Sequence, residues 1–264
     1  MTTIERFIEW GSNIVGTAAG GLAGQITAGP AGAVGGMVAG AFVGETIAPV
    51  LSEIGQRVLS TRQKERVGAV SILATNMLQE ALANGSRLRG DAFLRARADG
   101  RSPAAEVIEH VMLAAQSSFE ERKLPHLAAA LTSIALAEHV DERTAHWIVG
   151  TLERLSWTKL VALALIDDQE LNPLPPLDVG THPETWGPWS AHTIFHELIY
   201  SDILASQTGP ARTDGEFGAP IFTKRFSDLG LTTGGSLIVQ AGDLASIIPN
   251  DREELRRSIS AVSG

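Results

Sequence analysis

No cysteine occurs among the 264 residues. That excludes disulfides, thiol catalysis and cysteine-based zinc sites, and it fits a reducing compartment. Aromatic side chains are scarce, at 5%, with a single tyrosine. The core must therefore be filled by aliphatic residues, and abundant alanine and leucine favour helix packing over a β-sandwich. A basic excess is lacking too: the formal net charge is −9. Generic attraction to phosphate backbones is not expected, so nucleic acid is not an expected partner. Signatures of common enzymes are also missing. No glycine-rich run leads into the Gly-Lys-Ser/Thr of a phosphate-binding loop, and no G-x-S-x-G elbow is present. The chain is not read as an enzyme, with no catalytic residue, cofactor or metal ion expected.

Residues 10–44 carry no charged side chain. Within them a small residue recurs at every fourth position: Gly16, Gly20, Gly24, Ala28, Gly32, Gly36, Gly40 and Gly44. Glycine weakens a lone helix in water by about 1 kcal/mol per residue relative to alanine. At i, i+4 spacing, however, these residues share one helix face. That face is a smooth groove in which a second helix can approach backbone to backbone, as in membrane helix packing. Gly29-Pro30 interrupts the run with a turn signal. The pattern predicts a helical hairpin, with arms over 11–28 and 31–48 and Pro49 closing the second. Each arm would be about 27 Å long, close to the roughly 30 Å hydrocarbon thickness of a bilayer. Arg57, Arg62, Lys64 and Arg66 follow. The positive-inside rule then predicts a cytoplasmic body with inner-membrane association through residues 11–48. The opening Met-Thr-Thr-Ile-Glu-Arg-Phe lacks a basic n-region, so a secretory leader is not expected. A second use of the ladder stays open. Alanine and glycine are weakly hydrophobic and Gln25 sits mid-arm, so the hairpin could instead pack between subunits of a soluble oligomer.

Behind the hairpin, apolar residues recur at helical spacing. Val67, Val70, Leu73, Met77, Leu78 and Leu82 mark a helix over 60–83 that Asn84-Gly85 terminates. Five arginines between Arg87 and Arg101 lie among aspartates and read as a solvated face. Ser102 caps the next helix, with Pro103 at its first position and Glu106 in its first turn. Its buried face is predicted from Val107, Ile108, Val111, Met112, Ala115 and Phe119, with Glu120 to Lys123 ending it in water. Further helices start at Pro125, behind Asp141, and behind Ser156 as a cap. Residues 172–190 hold five prolines with Trp186 and Trp189, and read as a linker or strap. Beyond it, a helix over 191–206, a strand over 220–226, a turn at Leu229 to Gly235 and a last helix from Asp251 suggest a small α+β module. His192 and His196 are one helical turn apart, with Glu197 adjacent and His182 across the strap. They lack the order and ligand number of a zinc site and read as ordinary surface or core-edge histidines. His139 and His146, two turns apart, are read the same way.

The fold class is thus mainly α. The expected divisions are 1–50 glycine-zipper hairpin, 51–170 helical bundle, 171–190 Pro-rich linker and 191–264 α+β module. The run from Leu229 to Gly235 ahead of an apolar helix resembles a winged-helix module. Only Arg212, Lys224 and Arg225 stand in its wing, which implies protein contact rather than DNA binding. The stretch from Glu121 to Ile166, ERKLPHLAAALTSIALAEHVDERTAHWIVGTLERLSWTKLVALALI, resembles the helical bundle of bacterial abortive-infection proteins of the alpha type. That resemblance implies defence against phage, and the glycine ladder is a departure from the family pattern. Two functions follow as expectations. In the first, the hairpin inserts and oligomerises to permeabilise membrane, as in a defence or toxin-like effector, with lipid and further copies of the chain as partners. In the second, the chain is a soluble oligomeric scaffold or regulator. It then self-associates through the hairpin and binds a protein partner through the C-terminal module.

Overall fold

The computed structural model describes residues 46–55, 59–98, 100–177, 186–206 and 225–261. All eight small residues of the ladder, from Gly16 to Gly44, lie outside this set, as do the wing positions Arg212 and Lys224, residues 220–224 of the strand expected over 220–226, and His182; the described end of that strand, Phe226, opens a 3-10 turn instead. The described residues are mainly helical with one two-stranded sheet. They fall into two compact units that divide between Arg154 and Leu155. Among them, no helix is long and apolar enough to cross a membrane.

The first unit opens with α1 (Ala48–Gly55), whose first turn holds Pro49, the residue expected to close the second arm. Proline is tolerated there because the first-turn N–H groups have no helical partner. Ile47, Val50 and Ile54 are buried. Helix α2 (Thr61–Ala83) starts in a reciprocal capping box between Ser60 and Gln63. It ends in a Schellman motif: Ser86 N–H donates to Ala81 O at 3.0 Å, Gly85 N–H to Leu82 O at 3.1 Å, and Gly85 has φ +93°. Helix α3 (Pro103–Ser117) is capped by Ser102, which accepts from Ala105 N–H at 3.1 Å. Helix α4 (Leu124–Leu136) is buried on nearly every side, and α5 (Glu142–Arg154) is capped by Asp141, which accepts from Thr144 N–H at 2.7 Å. Helix α2 packs on α3 and α4, and α3 packs on α5.

Three expectations for this unit are corrected. Arg89, read with its neighbours as part of a solvated face, is buried, because its guanidinium satisfies the carbonyls of Ile134 and Val140. Phe119 is 93% exposed, because α3 ends at Ser117 and the chain turns before the next apolar position would face inward. Lys123 is buried, not solvated: its ammonium donates to Glu153 O at 2.8 Å, in the last turn of α5. A cation there satisfies an unpaired helix-terminal carbonyl and meets the negative end of the helix dipole. Burial pushes the Lys123 pKa down.

In the second unit, α6 (Trp157–Asp167) is the central element, with Leu160 to Ile166 all buried. Ser156 precedes it but makes no side-chain cap bond. Helix α7 (Trp186–Tyr200) begins five residues earlier than expected and takes in both strap tryptophans; Trp189 is exposed. It stops at Tyr200 rather than running to 206. Asp202 takes the left-handed conformation at φ 57°, and Ile203 N–H donates to Leu198 O at 3.1 Å, another Schellman ending. Leu204–Ser206 then forms β1, paired antiparallel with β2 (Leu229–Leu231). The expected turn at Leu229 is therefore a strand. Thr232 leaves it as the cap of α8 (Thr233–Ala241), accepting from Gly235 N–H at 3.1 Å. Helix α9 (Pro249–Ser260) closes the unit, and α7, α8, α9 and β2 all contact α6. Phe195 and Phe226 meet edge to face at its core, 5.0 Å between centroids.

Candidate functional site

Among the described residues, carboxylates and imidazoles gather where α3 packs on α5. Each helix carries the same short pattern, a glutamate followed four residues later by a histidine: Glu106 and His110 on α3, Glu142 and His146 on α5. At i, i+4 the two side chains of each pair share a helix face. Packing α3 against α5 brings the faces together. Oxygens of Glu106 and Glu142 and a ring nitrogen of His146 all lie within 4.8 Å of one another. The His110 and His146 rings stack at 5.3 Å between centroids, with their Nδ1 atoms 3.0 Å apart. One Nδ1 carries the proton and the other accepts it. All four residues are half-buried.

The Arg97 guanidinium hydrogen-bonds Glu142 and reaches Glu106 at 3.7 Å. The Arg97 hydrogen bond first, then a bond with Glu106 and the charges of Arg97 and His146, hold the Glu142 carboxyl below its ordinary range against a smaller opposing effect of burial. On the far side, His110 Nε2 faces Glu153 at 3.7 Å. Burial, and then the neighbouring His146, push the His110 pKa down. Arg101 pairs with Glu109 at 2.6 Å beside it. Two carboxylates and two imidazoles converging in this way can ligate a cation or pass a proton between rings.

Glu106, expected as a first-turn acid, joins the cluster. His139 and His146, both expected to be ordinary histidines, differ: His146 meets His110, and His139 is exposed one loop away. His110 and Glu142 were not singled out. The signal that finds them is the repeated E-x-x-x-H on consecutive amphipathic helices. In the second unit, His192 is buried edge-on against Phe226 at 4.8 Å, a packing role. His196 lies one turn further along α7, and among the described residues neither joins a metal-ligating cluster. Comparison with protein-family models, with curated proteins and with solved structures finds no match to the chain.

Proposed function

We propose that this chain is a membrane-acting effector, of a kind suited to bacterial defence, in which the N-terminal hairpin inserts and self-associates through its small-residue face. The observation that carries this reading is the ladder from Gly16 to Gly44 inside a stretch without charge. Small residues at i, i+4 allow two helices to approach closely in lipid, where apolar side chains alone give no preference for a partner helix. The body supports the reading in one respect. Ile47, Val50 and Ile54, immediately behind the ladder in sequence, are buried in the first unit, so the segment that follows the ladder is anchored in the body. Permeabilisation would follow from assembly of several hairpins, with the helical body remaining on the side of the positive residues Arg62, Lys64 and Arg66.

The test is dye leakage from vesicles containing anionic lipid, with the full chain and with residues 1–45 deleted. A deletion ending at residue 45 keeps the buried Ile47 and Val50 in place. Leakage and vesicle binding should both vanish on deletion. Gly24→Leu and Gly36→Leu should retain binding yet lose leakage, because leucine holds the helices apart. A protein that ignores vesicles and loses only its oligomeric state on deletion would replace this reading with the soluble scaffold.

A further inference from the structure

We propose that Glu106, His110, Glu142 and His146 form a site for one divalent transition-metal ion of the zinc class, taken up in exchange for the guanidinium of Arg97. The inference does not depend on the membrane reading.

The donor set is mixed imidazole and carboxylate, which suits zinc, cobalt, nickel or iron rather than magnesium or calcium, whose ligands are oxygens. Three of the four side chains already place ligand atoms within 4.8 Å of one another. Metal–ligand distances of about 2.0–2.2 Å require those atoms to draw in by roughly an ångström. The side chains are half-buried rather than locked in the core, and the site requires that they turn about their own bonds to close on the ion. The fourth donor, His110, lies outside that group and must draw in to join it, from a ring that already meets His146. The two Nδ1 atoms face each other at 3.0 Å, and as a hydrogen-bonded pair they leave one lone pair directed at a proton. A metal ion accepts lone pairs from both.

Two surrounding groups fit the same assignment. Behind His110, the Glu153 carboxylate lies 3.7 Å from Nε2. With Nδ1 on a metal, Nε2–H would donate toward that carboxylate, the usual outer partner of a ligating histidine. In front, Arg97 supplies positive charge to both glutamates. Its side chain is 43% exposed and follows the short 3-10 turn Ala92–Leu94, so it can swing into solvent when a divalent ion replaces it.

Titration of the chelator-treated full chain with Zn²⁺ by calorimetry, and with Co²⁺ by visible absorption, tests the site. One ion should bind per chain. Glu142→Gln and His146→Ala should each weaken binding by about tenfold or more, and His146→Ala should lose the Co²⁺ bands that report nitrogen ligation. Arg97→Ala should tighten binding several-fold, a gain that a merely structural residue would not produce. His139→Ala and His192→Ala should leave affinity unchanged. If His146→Ala fails to fold by circular dichroism, Arg97→Ala and the Co²⁺ spectrum of the unaltered chain decide. No binding by the unaltered chain or by Arg97→Ala would overturn the proposal. So would affinity that survives Glu142→Gln and His146→Ala, that follows His192, or that is indifferent to Arg97.

Discussion

Arg89 grips Asp91 through two parallel hydrogen bonds, Nε to Oδ1 at 2.8 Å and Nη2 to Oδ2 at 2.5 Å, while its own side chain is only 1% exposed. The same guanidinium donates to Ile134 O at 3.1 Å and Val140 O at 2.9 Å, and lies 3.8 Å over the Phe93 ring. A single buried cation thus ties the loop after α2 to the carbonyls at and beyond the end of α4. Arg89→Ala leaves those carbonyls buried without their donor and should destabilise the first unit by about 1–3 kcal/mol for each. Arg89→Lys, which cannot present the planar fork, should recover only part of that. Urea unfolding followed by far-UV circular dichroism measures both.

The same pair sets an acid limit on stability. The hydrogen bond from Arg89, ahead of its charge and against a partial desolvation penalty, lowers the Asp91 pKa below its unfolded value. The native state then binds fewer protons than the unfolded state in that window, so stability rises with pH there. This contribution is fully present above the ordinary aspartate range of about 4 and is lost as pH falls through it toward the depressed native value. Asp91→Asn should flatten the acid limb of a urea-midpoint profile while leaving its shape above about pH 6 unchanged. An acid limb identical in the variant would show that other carboxylates carry it.

Gly235 should tolerate nothing larger. A Cβ there would sit 2.4 Å from the backbone oxygen of Ile203 and 3.2 Å from Leu231 Cδ2. That oxygen also accepts from Thr232 N–H at 3.1 Å, so the backbone cannot yield without breaking the junction of β2 and α8. Gly235→Ala should cost about 1–3 kcal/mol, as overpacking does. Gly85→Ala meets open space and carries only the strain of φ +93°, so its cost should be nearer 1 kcal/mol. Thermal melts of the two variants side by side give the order.

Cap strength separates two serines that look alike in sequence. Ser102→Ala removes a bond to Ala105 N–H and should cost about 1 kcal/mol. Ser156→Ala removes no cap bond and should fall within about 0.5 kcal/mol of the unaltered chain. Phe119→Ser, at a side chain 93% exposed, should be as mild. A large loss at Phe119 would mean that its ring is covered in the working assembly.

Local signals were legible where the physics is local. Ser102 and Asp141 cap the helices they announce, because a short polar side chain reaches backbone N–H groups two or three residues ahead. Asn84-Gly85 ends α2 because glycine enters the left-handed region without steric cost. The end of α7 was missed because Asp202 adopts that conformation without being glycine, held by the strand pairing that follows. Leu229–Leu231 read as a turn because a three-residue strand has too few positions to display alternation; its partner, Leu204–Ser206, lies more than twenty residues back.

The chain alone determined that the described body is helical and that a charge-free ladder of small residues precedes it. Both are consequences of spacing, since a helix repeats about every four residues and its faces can be read directly. Tertiary packing decided what no spacing within one helix contains. It set His110 against His146, with Glu106 and Glu142 beside them. It also turned Lys123 inward onto α5 and left Phe119 outside. The histidine and glutamate cluster depends on which face of α3 meets which face of α5, and the burial of Val107, Val111, Ile148 and Val149 on those helices favours that choice more than the polar residues do; Phe119 is left out because α3 ends before it.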